Sequence, residues 1–247
     1  MASRPLPRKL RTRQDGVTCP LCRCSVAVLF LGSMAKLRAH NIAISVDGYM
    51  AGPNQSLENP LGIGGSRLHE WVFVTRTGAA MVGADGGERG VDDDYLAASF
   101  EGIGAWILGR NMFGPMRGQW PDESWTGWWG PNPPYHCEVF VLTHHARTSV
   151  EMEGGTTFHF VTEGIEAARD LALASAGDLD VRVGGGAATL QAYLRSQLLD
   201  ELHVAIVPTL LVSGERLFDH LNDGLDNYQC VEHVASSAVT HVRFVKV

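Results

Sequence analysis

The sequence predicts an α/β fold, in which strands alternate with helices along the chain. The clearest observation is the stretch 180–208, which reads as a strand, a glycine turn, a helix whose apolar residues at helical spacing run from Leu190 to Leu199, and a second strand. Two further predicted strands, at 105–108 and 138–142, end in polar or basic residues. Near the C terminus, alternating apolar segments at 228–234 and 239–247 are typical of a β-hairpin. Together these patterns predict one sheet with helices packed on it.

The first residues differ in composition from the rest of the chain. Residues 1–14 are basic, and a CxxCxC pattern at 19–24 and a short apolar run follow them. A signal peptide, a zinc knuckle without a fourth ligand, and a disordered leader upstream of a working start at Met34 are the alternatives. No amphipathic pattern is present, which favours the last. We therefore expect a disordered leader or upstream extension at 1–33 and a globular domain at 34–247.

Composition excludes several classes of protein. The chain has 247 residues, of which 45% are hydrophobic, and this suffices for one sizeable core. A net charge of −7 predicts no nucleic-acid surface. No apolar run approaches the roughly 18 residues of a membrane span. Beyond residue 24 only Cys137 and Cys230 remain, which is no disulfide framework and predicts a cytoplasmic protein.

The predicted domain opens with a strand at 39–46, which Asp47 and Gly48 close. The following loop, 52–65, is long for a compact domain, and such loops are often functional. Apolar residues at helical spacing then predict a short helix, with Leu68, Trp71, Val72 and Thr75 on one side.

Two loops of unusual composition follow. Residues 83–94 are rich in Gly and Asp, and Asp92 to Asp94 place negative charge ahead of a helix predicted near 95–100. That position favours capping of the helix over metal binding. Residues 118–134 hold four of the six tryptophans without any helix or strand period. One interpretation of this loop is an aromatic lid over a planar substrate. The alternative is that it packs within the subunit or at a dimer contact.

Polar groups follow the ends of two central strands. The strand at 105–108 ends in Gly109, Arg110 and Asn111, and the strand at 138–142 ends in Thr143 and His144. Ligands of open α/β sheets bind at the carboxyl ends of strands, and an arginine fork pairs well with phosphate. Together with the glycine turn, these ends favour an extended ligand with several phosphates, such as a dinucleotide.

The glycine turn at 184–186 carries the strongest ligand signal. Glycine permits φ > 0 and close approach of a ligand to the backbone. The free N–H groups at the start of the next helix suit a phosphate or pyrophosphate. A tight turn without a ligand is the alternative. If pyrophosphate lies here, we expect a Cβ added at Gly185 to enter its space.

The order of five short motifs carries a family resemblance. The motifs are SVDG at 45–48, GR at 109–110, LTH at 142–144, VGGGA at 183–187, and DEL at 200–202 with Pro208. This order resembles the dihydrofolate reductase-like superfamily, and most of all the branch with the C-terminal reductase domain of the bacterial bifunctional riboflavin-biosynthesis enzyme. The resemblance implies a three-layer α/β/α fold on a mixed, mostly parallel sheet, completed by the C-terminal hairpin.

The resemblance also implies an NADPH-dependent oxidoreductase and assigns roles by position. The residues implied to meet NADPH are Ala43 at the nicotinamide, Gly109, Arg110, Asn111, Thr143, His144, Gly184, Gly185, Gly186, Ala187 and Thr189. The candidate substrate contacts are Ser45, Glu70 and Trp71, and the candidate catalytic residue is Asp47. Asp47 would hold a substrate hydroxyl or donate a proton; a simple Asp-Gly turn is the alternative. No metal ligand is expected.

Two departures bear on the substrate. Leu68 stands where folate reductases carry an acid, and Ala205 stands where the family carries a threonine. We therefore expect a small planar heterocycle or a ribosylaminopyrimidine-like compound as substrate. A non-catalytic nucleotide-binding module, a folate reductase with a non-standard substrate site and a zinc-binding accessory protein are the alternatives.

Basic and histidine side chains at the strand ends can hold the 2′-phosphate that distinguishes NADPH from NADH. The acid that binds the ribose in Rossmann folds is not evident here. We therefore expect the protein to bind NADPH more tightly than NADH. The tryptophan-rich loop and the edge of the C-terminal hairpin are a candidate homodimer surface.

Overall fold

The structure, a computed structural model, describes residues 35–114, 117–222 and 225–247. The predicted leader at 1–33 and the start at Met34 lie outside these residues. None of the helices in the described ranges is long and apolar enough to cross a membrane. Nor do those ranges place three or more His, Cys, Asp or Glu side chains where they could hold a metal ion.

Within the described residues, nine strands form one sheet and two short strands form a second. The strands are β1 (Leu37–Ser45), β2 (Tyr49–Ala51), β3 (Ile103–Gly109), β4 (Glu138–Leu142), β5 (Val150–Glu151), β6 (Thr157–Val161), β7 (Asp180–Gly185), β8 (Glu201–Val207), β9 (Glu215–Arg216), β10 (Tyr228–Ala235) and β11 (Thr240–Lys246). The large sheet has the order β10-β11-β8-β1-β7-β3-β4-β6-β5, and β2 pairs with β9.

The helices are short except for one. They are α1 (Glu70–Val74), α2 (Arg76–Met81), α3 (Val91–Ala98), α4 (Arg110–Phe113), α5 (Ile165–Ala176) and α6 (Ala187–Arg195), with 3₁₀ turns at Gly65–His69 and Glu153–Gly155. The six neighbouring strands from β8 to β6 are parallel, whereas β11, β10 and β5 pair antiparallel. The predicted mixed sheet and its C-terminal hairpin are therefore confirmed.

Alternation along the central strands produces the predicted three layers. In β3, Ala105 and Ile107 pack into the core with α5 and α6, while Trp106 and Leu108 face a second core on the opposite side. Helices α1 and α3 cover that opposite face near β1 and β8. Because β7 lies between β1 and β3, the glycine turn at its end sits in the middle of the sheet.

Some predicted boundaries were wrong. The helix after the glycine turn ends at Arg195, before Leu198 and Leu199. Helix α3 begins at Val91, so the acidic run lies within its first turn and not ahead of it. Its N-cap is Gly90, which has no side chain, and no side chain caps the helix. Asp93 instead accepts the N–H of Thr77 at 2.7 Å, which ties α3 to α2.

A buried group of histidines joins α3 to the sheet. This histidine cluster consists of His40, His203 and His241, which are 8%, 1% and 0% exposed. It forms at a bulge in β1, where Asn41 has φ 54 and the register with β8 shifts. The ring of Tyr95 from α3 stacks on His203 and on His241, with centroids 4.7 and 4.1 Å apart.

Hydrogen bonds fix the tautomers along this cluster. The N–H of Asn41 donates to Nδ1 of His203 at 3.1 Å, so Nε2 of His203 must carry the proton. That Nε2–H reaches Nδ1 of His241 at 3.1 Å, and Nε2–H of His241 donates to Asp92 at 2.8 Å. Beside this chain, Nε2 of His40 donates to Glu201 at 2.9 Å. Burial lowers the pKa of His203 to about 3, so this ring is neutral.

Candidate cofactor and substrate site

The parallel strands end at one edge of the sheet, and a cavity of about 480 Å³ opens there. This first cavity is lined by Gly109, Arg110, Asn111, Arg117, Gly118, Leu142, Thr143, His144, His145, Val161, Thr162, Gly164, Ile165, Gly186, Ala187, Ala188, Thr189, Ala192 and Glu215. It brings together the ends of β3, β4, β6 and β7, which are far apart in the chain. Eight of the residues predicted to meet a cofactor line it.

Two helices point their N termini at the first cavity. Helix α6 follows Gly186, and its first internal bond runs from the Leu190 N–H to the Gly186 carbonyl at 3.1 Å. Helix α5 follows Gly164, with the matching bond from Ala168 at 3.1 Å. Both N-caps are glycines without a side-chain cap. The free backbone N–H groups in the first turn of each helix, and the positive end of the helix dipole, therefore suit an anion.

The glycine turn uses each of its glycines differently. Gly185 has φ +117, a conformation that favours glycine, and the Gly185–Gly186 peptide is cis. A Cβ at Gly185 would meet Met50, Leu190 and Met112 at 3.7–4.0 Å, away from the first cavity. This direction speaks against the expectation that it would enter the pyrophosphate space, which stays a prediction. Gly186 is the residue that lines the cavity, and a Cβ there would meet open space.

Gly109 is required by close packing at the end of β3. A Cβ at this position would collide with the hydroxyl of Thr189 and lie 3.1 Å from the carbonyl oxygen of Gly185. Only glycine thus lets the start of α6 approach the end of β3. Two predicted cofactor residues, Gly109 and Thr189, contribute to the cavity through this contact.

Three arginines gather beside the first cavity without a carboxylate partner. In the described ranges, Arg110, Arg117 and Arg147 form no ion pair within 4.0 Å. Nε and Nη2 of Arg110 are buried and have no hydrogen-bond partner. Burial, and then the charges of Arg117 and Arg147, lower the pKa of Arg110. Such repulsion is relieved when an anion binds between the cations.

The tryptophan-rich loop, 118–134, packs behind these arginines. Trp120 donates its indole N–H to the His145 carbonyl at 2.9 Å, and Trp125 donates to Phe113 at 2.8 Å. Trp128 donates to the Asn111 carbonyl at 3.2 Å. None of these tryptophans lines either cavity that the described residues form at this edge. The contacts favour packing within the subunit over a lid.

A second cavity of about 460 Å³ lies at the end of β1. Its lining is Ile44, Val46, Asp47, Gly48, Arg216, Phe218 and Asp219. Asp47 accepts the N–H groups of Leu211 and Val212 at 3.2 and 2.8 Å. Hydrogen bonds from the Ser45 hydroxyl and from these N–H groups lower the pKa of Asp47 to about 2. At neutral pH its carboxylate accepts hydrogen bonds and has no proton to donate.

The strand β9 stands between the two cavities. Glu215 lines the first cavity, and the next residue, Arg216, lines the second. The guanidinium of Arg216 lies 4.6 Å from the ring centroid of Tyr49, which is its strand partner in β2. Residues at successive strand positions point to opposite sides, which accounts for this division.

Several predicted residues line neither cavity. Gly184 and Gly185 belong to β7, and Ala43 is a buried strand residue paired with Ala205. Ser45 is buried and accepts the N–H of Tyr49 at 2.9 Å. The other two are Glu70, which is exposed, and Trp71, which is 4% exposed and packs edge-on against His241.

Sequence reasoning missed other residues of the first cavity. Thr162 and Gly164 follow β6 and precede α5, two elements that were not predicted. The signal was present, since alternating residues at 157–161 are followed by Ala168, Ala172 and Ala176 at helical spacing. Glu215 had no such signal, because a strand of two residues has no period.

The chain was compared with known proteins. The sequence profile of the RibD C-terminal domain family matches residues 39–242. A comparison with curated proteins gave no match. The match covers most of the chain and confirms the resemblance that the five motifs carried.

Solved structures share the fold. A protein described as a riboflavin biosynthesis protein from Shewanella sp. PV-4 aligns with a TM-score of 0.53 and 21% identity, over 86% of this chain and 99% of that one. A dihydrofolate reductase from Enterococcus faecalis, complexed with NADP(H) and RAB-propyl, aligns with a TM-score of 0.45 and 13% identity, over 86% and 97%. The first alignment confirms the predicted α/β architecture.

Proposed function

The chain belongs to the RibD C-terminal domain family, a family of reductase type, and we propose that it is an NADPH-dependent oxidoreductase. Its substrate is a small planar heterocycle or a ribosylaminopyrimidine-like compound. One observation carries this proposal. Two uncapped helix N termini converge with Arg110 and Arg117, neither of which has an ion-pair partner in the described residues, on one cavity at the carboxyl edge of the sheet.

The lining of the first cavity fits the phosphates of a dinucleotide. The N terminus of α6 and Gly186 would hold the pyrophosphate, because no side chain separates it from the backbone. Arg110, Thr143 and His144 would hold the phosphate on the adenosine ribose. NADPH would supply the hydride when bound, while the protein binds, orients and excludes water.

The second cavity is where we place the substrate. Its apolar lining, including Phe218, suits a flat ring, and Asp47 accepts hydrogen bonds from a hydroxyl or amino group. The low pKa of Asp47 favours this holding role over proton donation. The two cavities meet at β9, so a cofactor and a substrate in them would be neighbours.

Calorimetry with NADPH and NADH tests the cofactor. NADPH should bind about 10- to 150-fold more tightly, because a lost hydrogen bond to a charged group costs about 1.5–3 kcal/mol. The ratio should shrink in Arg110→Ala. Equal affinities for the two cofactors in the native protein would refute the preference.

Turnover separates a reductase from a nucleotide-binding module. NADPH oxidation should depend on a heterocyclic or ribosylaminopyrimidine substrate and should fall in Asp47→Asn, with NADPH affinity unchanged. Tight NADPH binding without turnover of any such compound would favour the binding module. Oxidation with dihydrofolate alone would instead identify a folate reductase.

We also propose that the active form is a cytoplasmic homodimer. Strand β10 is the edge of the large sheet, and its outer side is unpaired in the described residues. Exposed edge strands are suited to pairing with another chain. Light scattering at micromolar concentration should give twice the monomer mass; a monomer mass would contradict the dimer.

A further inference from the structure

We propose that Trp120 is a positioning residue for phosphate binding in the first cavity. Its indole supports the guanidinium of Arg110 from the side away from the cavity, and so sets how tightly the cavity holds an anion. The inference rests on the proposed function only for the identity of the phosphate carrier.

The contact between the two side chains is close. The guanidinium carbon of Arg110 lies 3.8 Å from the centroid of the Trp120 ring. Arg110 lines the first cavity and Trp120 does not, so the indole stands behind the cation. Tryptophan is the best partner for such a cation–π contact.

Besides the indole, one hydrogen bond holds the guanidinium. Nη1 of Arg110 donates to the Gly118 carbonyl at 2.5 Å, but Nε and Nη2 are buried without a partner. No carboxylate in the described residues lies within ion-pair distance. The indole face and this one hydrogen bond therefore fix the plane of the guanidinium.

Trp120 also holds a second cation. The guanidinium carbon of Arg147 lies 4.9 Å from the same ring, and within 5.0 and 5.4 Å of Phe160 and Phe113. Burial lowers the pKa of Arg110, and the charges of Arg117 and then Arg147 lower it further. The indole thus contacts two like charges beside the cavity, and the carbonyls of Glu123 and Trp125 hold the second of them.

The indole itself is anchored to the strand end. Its N–H donates to the His145 carbonyl, directly after β4, and its ring packs edge-on against Phe160 at 5.4 Å. A movement of Trp120 would therefore displace Arg110 relative to the polar groups at the end of β4. This arrangement gives the tryptophan-rich loop a role in binding although it does not line the cavity.

The test measures binding of pyrophosphate and of NADPH to three variants. In Trp120→Leu both ligands should bind about 10-fold more weakly, as expected for loss of a cation–π support. Trp120→Phe keeps an aromatic face but loses the N–H donor, and should stay within about 3-fold of the native protein. Trp129→Leu is the matched control, because Trp129 lies in the same loop but contacts Tyr135; it should bind as the native protein does.

A double-mutant cycle shows whether Trp120 acts through Arg110. In the Arg110→Ala background, Trp120→Leu should weaken binding no further. Additive losses, equal losses in Trp120→Phe and Trp120→Leu, or native affinity in Trp120→Leu would each overturn the inference. Melting temperatures of all variants identify any that fail to fold, and Trp120→Phe then still decides between an aromatic support and a hydrogen-bond anchor.

The two proposals fail in different ways. If the native protein binds pyrophosphate but not NADPH, the proposed function is wrong, while the loss in Trp120→Leu still supports the positioning role. If it binds NADPH and Trp120→Leu binds equally well, only the positioning role is wrong. Binding of neither ligand would overturn both.

Discussion

The first cavity and the histidine cluster are both rich in polar side chains, but they differ in whether those side chains have partners. In the cluster, each ring bonds to a neighbour, from the backbone of Asn41 through His203 and His241 to Asp92. Beside the cavity, Arg110 and Arg147 retain buried nitrogen atoms without any hydrogen-bond partner. The histidine rings find their partners within the protein, whereas these guanidinium nitrogens are donors that suit an anion.

We use this difference to distinguish polar side chains that stabilise the fold from polar side chains that are available to bind a ligand. Buried polar groups are nearly always hydrogen-bonded in native proteins, so unpaired ones call for an explanation. A satisfied network needs no ligand, however many histidines it contains. Substitutions in the cluster should therefore change stability, and substitutions at the cavity should change affinity.

Lowering the pH should give the largest effect, because it should reduce the stability that the histidine cluster contributes. Burial lowers the pKa of His203 to about 3, against 6.5 for a free ring, so the unfolded state binds more protons. Stability is then complete above pH 6.5 and falls as the pH drops. From His203 alone we expect a loss of about 2–3 kcal/mol at about pH 4.5, and the lowered pKa values of His40 and His241 add to it.

Urea unfolding across this pH range measures the effect. His203→Leu should be less stable at neutral pH, because the N–H of Asn41 and Nδ1 of His241 lose their partner. It should also lose less stability on acidification. A native protein equally stable at pH 6.5 and at about pH 4.5 would show that the rings are not held neutral.

A matched pair of substitutions sharpens the comparison. Glu201→Leu removes the acceptor of His40 and of Arg243, and should lower stability by about 1–3 kcal/mol without changing NADPH affinity. Arg110→Leu should leave stability nearly unchanged, since its guanidinium has no charged partner to lose. Chemical unfolding and calorimetry on the same samples give both quantities. Stability loss in Arg110→Leu would mean that the arginine is structural.

Substitutions at two neighbouring glycines should separate effects on stability from effects on affinity. Gly186→Ala meets no atom within 4 Å and has ordinary φ, so stability should hold while NADPH binds roughly 10-fold more weakly. Gly185→Ala forces a side chain into φ +117 and should cost about 1–2 kcal/mol of stability. Its Cβ points away from the cavity, so the affinity of the folded protein should change less. The reverse pattern would place the ligand on the Gly185 side.

Removal of residues 1–33 should have the smallest effect. If they are a leader or upstream extension, deletion leaves both the melting temperature and the NADPH affinity unchanged. A large drop in the first quantity would show that the segment supports the fold. A drop in the second alone would show that it contributes to binding.

The sequence predicted those parts of the site that follow strands of clear pattern. Arg110, Thr143 and Gly186 each come within three residues of the last apolar side chain of a strand, and parallel pairing brings such ends to one edge. The fold class and the hairpin followed from the same patterns. The Cβ direction at Gly185 could not be predicted, because it depends on backbone angles that a glycine run does not reveal.

The remaining parts depend on contacts between distant residues. His40 and Glu201 are 161 positions apart in the chain, and His203 and His241 are 38 positions apart. No local sequence pattern therefore predicts the histidine cluster. The stacking of Trp120 on Arg110 likewise depends on the path of a loop without a period. Side-chain pairing of this kind is set by tertiary packing and not by periodicity.

The two-residue strand β9 has a consequence for how selectivity could evolve. Glu215 faces the cavity proposed for the cofactor and Arg216 faces the cavity proposed for the substrate, although one peptide bond joins them. If the two cavities bind as proposed, adjacent codons on one short strand act on two separate ligands. A single nucleotide change can retune one preference and leave the other intact, which makes this pair a natural starting point for redesign.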